Sequence, residues 1–134
     1  MAIRVILDSN FLMIPTKFRL DIFEGLEKAL NQRVEAIVPE PVYDELKRAS
    51  VAKSSKQARQ AREALKLAEK TRIFKVDSRI EEPVDDIILR LAVEWNCPVA
   101  TNDAELRKKL RKKSIPVIYL RQRSRLEVDG GRFR

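Results

Sequence analysis

Four acidic residues occupy positions where a folded chain normally places apolar ones. Asp8 directly follows Val5-Ile6-Leu7, a continuous apolar run of the kind found in a strand buried on both faces. Asp103 closes "CPVATND", with Asn102 between it and another buried-strand pattern. In the segment from 84, Val84, Ile87, Ile88, Leu91, Ala92 and Trp95 form a helical apolar stripe. At 100° per residue, Asp85 lies roughly 90° from the centre of that stripe, and Asp86 nearly opposite it. Asp85 thus borders the buried face, while Asp86 faces solvent. Glu45 repeats the anomaly, lying between Val42, Leu46 and Ala49. A buried carboxylate is costly unless it is paired or holds a metal.

The rest of the composition narrows the chemistry. The chain of 134 residues contains no histidine and one cysteine, Cys97. Serine–histidine triads, cysteine–histidine dyads, histidine zinc sites and an internal disulfide are thereby excluded. Three glycines leave little room for a glycine-rich phosphate loop. Four clustered acids would repel one another, raising some pKa values or demanding a cation. An all-oxygen donor set suits Mg²⁺ or Mn²⁺. One or two such ions can activate water and stabilise the leaving oxygen of a phosphodiester. Asn10, Thr101 and Asn102 stand close enough in sequence to position these acids. Asp103 has a competing use as a helix N-cap, and Asp85 and Asp86 as partners of a helix dipole.

The elements that must carry these residues alternate between strand and helix. Strand patterns fall at 3–7, 34–39, 72–76, 97–101 and 115–121. A short helix is expected over 11–14, ended by Pro15. A longer one carries Phe18, Ile22, Leu26, Ala29 and Leu30, and further helices begin near 40, 55, 84 and 103. This alternation predicts an α/β domain over 1–121: a three-layer α/β/α sandwich around a mainly parallel five-stranded sheet. Ligands of such sheets bind beyond the C-terminal ends of the strands, where Asp8 and Asp103 fall. Residues 122–134, ending in Gly130-Gly131 and basic residues, are expected to be an aperiodic tail. No apolar stretch is long enough for a membrane span and no secretory leader pattern is present, so a cytoplasmic protein is expected.

The net charge of +8 is unevenly distributed. Residues 51–80 contain nine basic and three acidic residues, and 103–134 contain eleven and four; 81–102 contain one and five. Two basic blocks around an acidic patch suit a polyanion such as nucleic acid. Lys56, Arg59, Arg62, Lys66 and Lys70 recur at helical spacing. Arg107, Lys108, Lys109, Arg111, Lys112 and Lys113 form a second basic set around Leu106 and Leu110. Either set could equally serve as a solvated helix face. Trp95 belongs to the apolar stripe and is expected in the core, not as a platform for bases.

Taken together, "VILDSNFLM", "VPEPVYDELK", "DDIILRLAVEWNCPVATND" and the closing "IPVIYLRQRSRLE" resemble the PIN-domain nucleases, in the same order and over nearly the whole chain. The last segment is similar to the ribosomal-RNA-processing branch; toxin-type members are also similar. The resemblance implies metal-dependent endoribonuclease activity, with Asp8, Glu45, Asp85 and Asp103 as catalytic acids. Asp8, Asp85, Asp86 and Asp103 are the implied metal ligands. Possible partners are a pre-ribosomal particle, an antitoxin protein or a second copy of the chain. "EEPVDD" departs from the glycine-rich approach common in related sequences. Two other uses of the fold compete: an RNA-binding scaffold without catalysis, and the ribonuclease toxin of a toxin–antitoxin pair. A phosphoryl-receiver domain lacks its acidic pair and lysine here, and Asn10 breaks the Asp-x-Asp of a dehalogenase-type phosphatase.

Overall fold

The structure is a computed structural model that describes residues 2–15, 20–51, 55–77 and 81–130. Strand β1 (Ile3–Leu7) is followed by a single helical turn, α1 (Ser9–Leu12), and by α2 (Ile22–Leu30). Strand β2 (Val34–Pro39) runs directly into α3 (Glu40–Ser50), then α4 (Lys56–Ala68) and β3 (Arg72–Phe74). Helix α5 (Val84–Trp95), β4 (Val99–Ala100), α6 (Ala104–Lys112) and the hairpin β5 (Val117–Arg121) and β6 (Arg125–Asp129) complete the chain. Phe18 and residues 131–134 lie outside the described residues. No helix among the described residues is long and apolar enough to cross a membrane.

The strand order is β3-β2-β1-β4-β5-β6. β1 to β5 run parallel, and β6 returns antiparallel to β5, with Ile118 opposite Val128 and Leu120 opposite Leu126. The sheet therefore has six strands, not the expected five. The sixth comes from the segment read as aperiodic. Its pattern is a strand pattern after all: Leu126 and Val128 alternate with Arg125, Glu127 and Asp129. The hairpin signal is absent because the turn uses Gln122 and Arg123, both at positive φ (53° and 63°), without glycine or asparagine.

β1 occupies the centre of the sheet, and Val5, Ile6 and Leu7 are completely buried. Phe11, Leu12, Ile22, Leu26, Val42, Leu46, Ile88, Leu106 and Leu110 bring the helices onto the sheet faces. Ala58, Ala61, Ala64 and Ala68 form the buried side of α4, so that helix lies close along α3. Two glycines meet steric demands. A β-carbon on Gly25 would stand 2.8 Å from Leu126 Cδ1, so its absence lets α2 close over β6. Gly130, at φ 99°, lies where a β-carbon would collide with the Arg111 guanidinium.

Helix boundaries follow local chemistry. Asp21 caps α2 by accepting the amides of Phe23 and Glu24, both at 3.1 Å. Asn31 and Asn96 end α2 and α5 in the left-handed conformation. Pro39 and Pro83 precede α3 and α5, holding the chain extended up to each first turn. The result is that β1 ends beside β4, where the strand order reverses. Crevices at such a reversal are where open α/β sheets bind their ligands.

Candidate active site

Asp8 leaves β1 at this reversal and is only 4% exposed. Its backbone amide donates to Ala100 O at 3.0 Å, which pins it to the end of β4. Asp8 Oδ1 accepts the Ser9 amide at 2.8 Å, making Asp8 the N-cap of α1. Oδ2 accepts the Thr101 hydroxyl at 2.8 Å and Asn10 Nδ2 at 3.2 Å. None of these donors carries a charge. Burial therefore pushes the Asp8 carboxyl up to about 6; the Thr101 and Ser9 bonds oppose that rise, and the charges of Asp85 and Glu45 add to it.

Thr101 and Asn10 join two loops into one frame. The fully buried Thr101 hydroxyl donates to Asp8 and accepts the Asp103 amide at 3.1 Å. Asn10 Oδ1 accepts the Asn102 amide at 2.9 Å. Asn102 Oδ1 accepts the Leu120 amide at 2.9 Å, tying the β4 end to β5. Asp103 Oδ1 accepts the amides of Glu105 and Leu106, so this acid caps α6. Its Oδ2 takes no part in the cap. The N-cap use and a place in the acidic cluster are thus compatible.

The other two acids arrive from opposite helices. Asp85, in the first turn of α5, is half-buried, and Asp86 beside it is exposed. The Asp85 carboxyl is raised, first by burial, then by Asp103, with Glu45 and Asp86 adding and Lys109 opposing. Glu45 Oε1 accepts the Ser9 hydroxyl at 2.9 Å. Asp8, Glu45, Asp85 and Asp103 therefore share one electrostatic neighbourhood, with Asp86 at its margin.

This donor set fits a hard divalent cation: oxygen ligands only, and a desolvated carboxylate whose hydrogen-bond partners carry no positive charge. Asp8, Asp85 and Asp103 are the residues that would hold it. Among the described residues, no three acidic or cysteine side chains already enclose a common metal position.

Three relevant residues escaped the sequence reading or were placed too loosely by it. Ser9 holds Glu45, and its position between Asp8 and Asn10 was the available signal. Lys109, one of five basic residues on its helix, is a cation that acts on Asp85. Tyr119 lies under the Arg107 guanidinium at 3.8 Å from its ring centre, and no pattern in the sequence signals this pairing.

The basic sets divide. Lys56, Arg59, Arg62 and Lys66 are exposed on α4 and Lys70 is exposed just beyond its end, although Arg62 Nη1 donates to Ser50 O and Lys66 pairs with Glu63. On α6, Lys108 and Lys112 are exposed, whereas Arg107 and Arg111 bind Asp129 of β6 at 2.7 and 3.5 Å. Trp95 is half-buried, with its ring edge-on to Phe74 at 4.7 Å, in keeping with a packing role.

Known proteins share this architecture. The PIN-like domain family matches residues 5–123. Ribonuclease VapC4 of Methanocaldococcus jannaschii is 33% identical over 128 residues, covering 95% of this chain and 97% of its own. The rRNA-processing protein fcf1 of Schizosaccharomyces pombe is 28% identical over 117 residues, which cover 85% of this chain and 57% of that protein. The solved structure of the PIN domain endonuclease Utp24 superposes with a TM-score of 0.79 at 26% identity, over 96% of this chain and 92% of that one. A sheet that places Asp8 and Asp103 at its strand reversal, with Asp85 and Glu45 brought near by flanking helices, and a family match over residues 5–123 lead to one assignment: this protein belongs to the PIN domain nuclease family.

Proposed function

We propose that the protein is a metal-dependent endoribonuclease that hydrolyses phosphodiester bonds at the Asp8 crevice. The observation that carries this is the Asp8 carboxylate, buried at the strand reversal among Glu45, Asp85 and Asp103 and bonded only to uncharged donors. Bound Mg²⁺ or Mn²⁺ would stabilise the charge on phosphate and leaving oxygen and lower the pKa of water.

Asp8 and Asp103 present their carboxylates from two neighbouring strand ends, and Asp85 presents its own from the α5 start. Thr101 and Asn10 hold Asp8 in position. Glu45, steadied by Ser9, orients the attacking water and takes its proton. In-line attack on phosphorus then leaves a 5′-phosphate and a 3′-hydroxyl. Lys109 and the exposed lysines of α4 and α6 attract the RNA backbone.

The similarity to the rRNA-processing protein fcf1 supports a role in RNA processing, for which a pre-ribosomal particle would be the setting, and the similarity to the endonuclease Utp24 supports cleavage. A second role, as a ribonuclease toxin held by an antitoxin protein, rests on the near full-length match to VapC4. The cytoplasm suits either role.

The test is cleavage of labelled RNA by wild type, Asp8→Asn and Asp103→Asn, each with Mg²⁺, Mn²⁺ and chelator. Cutting by wild type that stops with chelator and in both variants is expected. Equal cutting by all three proteins would remove the site assignment.

A further inference from the structure

Beyond the acidic crevice, the end of β5 carries a second constructed feature. Thr101, Asn102, Arg107, Tyr119, Arg121 and Arg123 are among the residues lining a cleft of about 510 Å³. That volume is within the usual range for a small-ligand site. Thr101 and Asn102 line this cleft and are hydrogen-bonded to Asp8 and Asn10, so it lies beside the acidic cluster.

Arg107 is held there as a plane. Its Nε donates to Asp129 Oδ2 at 2.7 Å, and its guanidinium carbon lies 3.8 Å from the centre of the Tyr119 ring. The Arg107 side chain nevertheless remains 34% exposed. Tyr119 can cover only one guanidinium face. Tyr119 is itself placed by its hydroxyl, which donates to Glu127 Oε2 at 3.4 Å. The opposite lip is the Gln122-Arg123 turn, held with positive φ at both residues. Backbone of that kind is strained and tends to persist at binding sites. It brings Arg123 to the cleft beside Arg121.

We propose that Arg107, backed by Tyr119 and held by Asp129, is a stacking platform for one base of single-stranded RNA next to the bond being cut. Arg123 meets the phosphate of that nucleotide, beside an Arg121 whose guanidinium is paired with Glu127 at 2.9 Å. Unstacked RNA bases are commonly received on arginine planes and aromatic rings. This assignment rests on the reading of the protein as a ribonuclease and adds where the neighbouring nucleotide lies. Because base faces are alike, the platform would require a base without selecting which one.

The experiment separates base from backbone. Two pentanucleotides of equal charge are compared, one all-adenine RNA and one all-abasic. Their affinities are measured in Mg²⁺ by competition polarisation on Asp8→Asn protein, which prevents cutting. Arg107→Lys and Tyr119→Leu are then added singly, and their unfolding midpoints are checked against the parent. The adenine strand should bind about tenfold tighter than the abasic one. Arg107→Lys keeps the charge and the pairing to Asp129 but removes the plane, so this preference should vanish while the abasic strand binds as before. Tyr119→Leu should reduce it as well. A preference that survives Arg107→Lys overturns the platform, as does equal binding of the two strands by the parent. Binding of neither strand overturns both the platform and the RNA reading.

Discussion

The Thr101 hydroxyl donates to Asp8 Oδ2 at 2.8 Å and accepts the Asp103 amide at 3.1 Å, so one buried oxygen sets the relation between two acids on separate strands. Valine matches threonine in shape but supplies neither bond. Thr101→Val should cost about 1–3 kcal/mol, through an unsatisfied buried amide and a displaced carboxylate. RNA cleavage should fall about 10–100-fold, the usual loss when a residue that orients a metal-binding group is removed. Thr101→Ser should retain most of both. Thermal unfolding and single-turnover cleavage check this; a Thr101→Val protein as active as wild type would contradict it.

Asp8 also makes stability depend on pH. Its carboxyl is raised from 3.8 to about 6, mainly by burial. Between those values the folded chain holds a proton that the unfolded chain has released. This contribution therefore weakens as pH rises from about 4 to about 6, and is fully lost above that window. Asp8→Asn removes the effect. In chelator at pH 7.5, the variant should be more stable than wild type by roughly 2 kcal/mol, a figure that allows for the acceptor bonds an amide cannot replace. At pH 4 the gain should disappear. Chemical denaturation at the two pH values measures it.

Divalent metal should reverse that order. Millimolar Mg²⁺ or Mn²⁺ should raise the unfolding temperature of wild type and leave Asp8→Asn nearly unchanged, since an ion bound only to the folded form stabilises it. Equal shifts in both proteins would mean that the ion binds elsewhere.

Asp85 and Asp86 should separate cleanly. Asp85 is half-buried and its carboxyl is raised by the charges of Asp103 and Glu45, whereas Asp86 is exposed. Asp85→Asn should lower cleavage by at least 100-fold and Asp86→Asn by less than tenfold, consistent with the loss of an ion ligand against that of a peripheral charge. A larger loss at Asp86 would show that the first turn of α5 is arranged differently when RNA is bound.

The Gln122-Arg123 turn predicts a stability gain. Both residues have positive φ, which glycine adopts without strain. Gln122→Gly should stabilise the protein by about 1 kcal/mol, or a few degrees in unfolding temperature. No gain would mean that the glutamine side chain repays the strain.

The parts of this fold written as repeating patterns were legible in the sequence. Val5-Ile6-Leu7 predicted a central strand, and the phase of the 84–95 stripe placed Asp85 against the interior and Asp86 outside. β6 was not, because only Leu126 and Val128 carry its alternation and its turn lacks glycine. The expected strands at 72–76 and 97–101 shorten to Arg72–Phe74 and Val99–Ala100, since ladder pairing stops where the neighbouring strands end. The helix expected at 11–14 begins at Ser9 because Asp8 caps it. Within the site, acids out of phase were visible, but the hydrogen bonds among them were not. Ser9 to Glu45 spans 36 positions and Thr101 to Asp8 spans 93. The Arg107–Tyr119 stack likewise depends on α6 lying over β5, which no local spacing expresses.

Asn102 joins the two regions physically. Its amide is held by Asn10, next to the acids, and its side chain holds the Leu120 amide, one residue beyond Tyr119. No flexible linker separates the Asp8 carboxylate from the Arg107 plane, because every intervening bond belongs to the sheet or its immediate ends. If a base is seated on the Arg107 plane as proposed, the rigid connection would act as a ruler: a phosphate would be presented at a set distance, and the choice of bond would follow from length along the backbone instead of from the letters of the sequence.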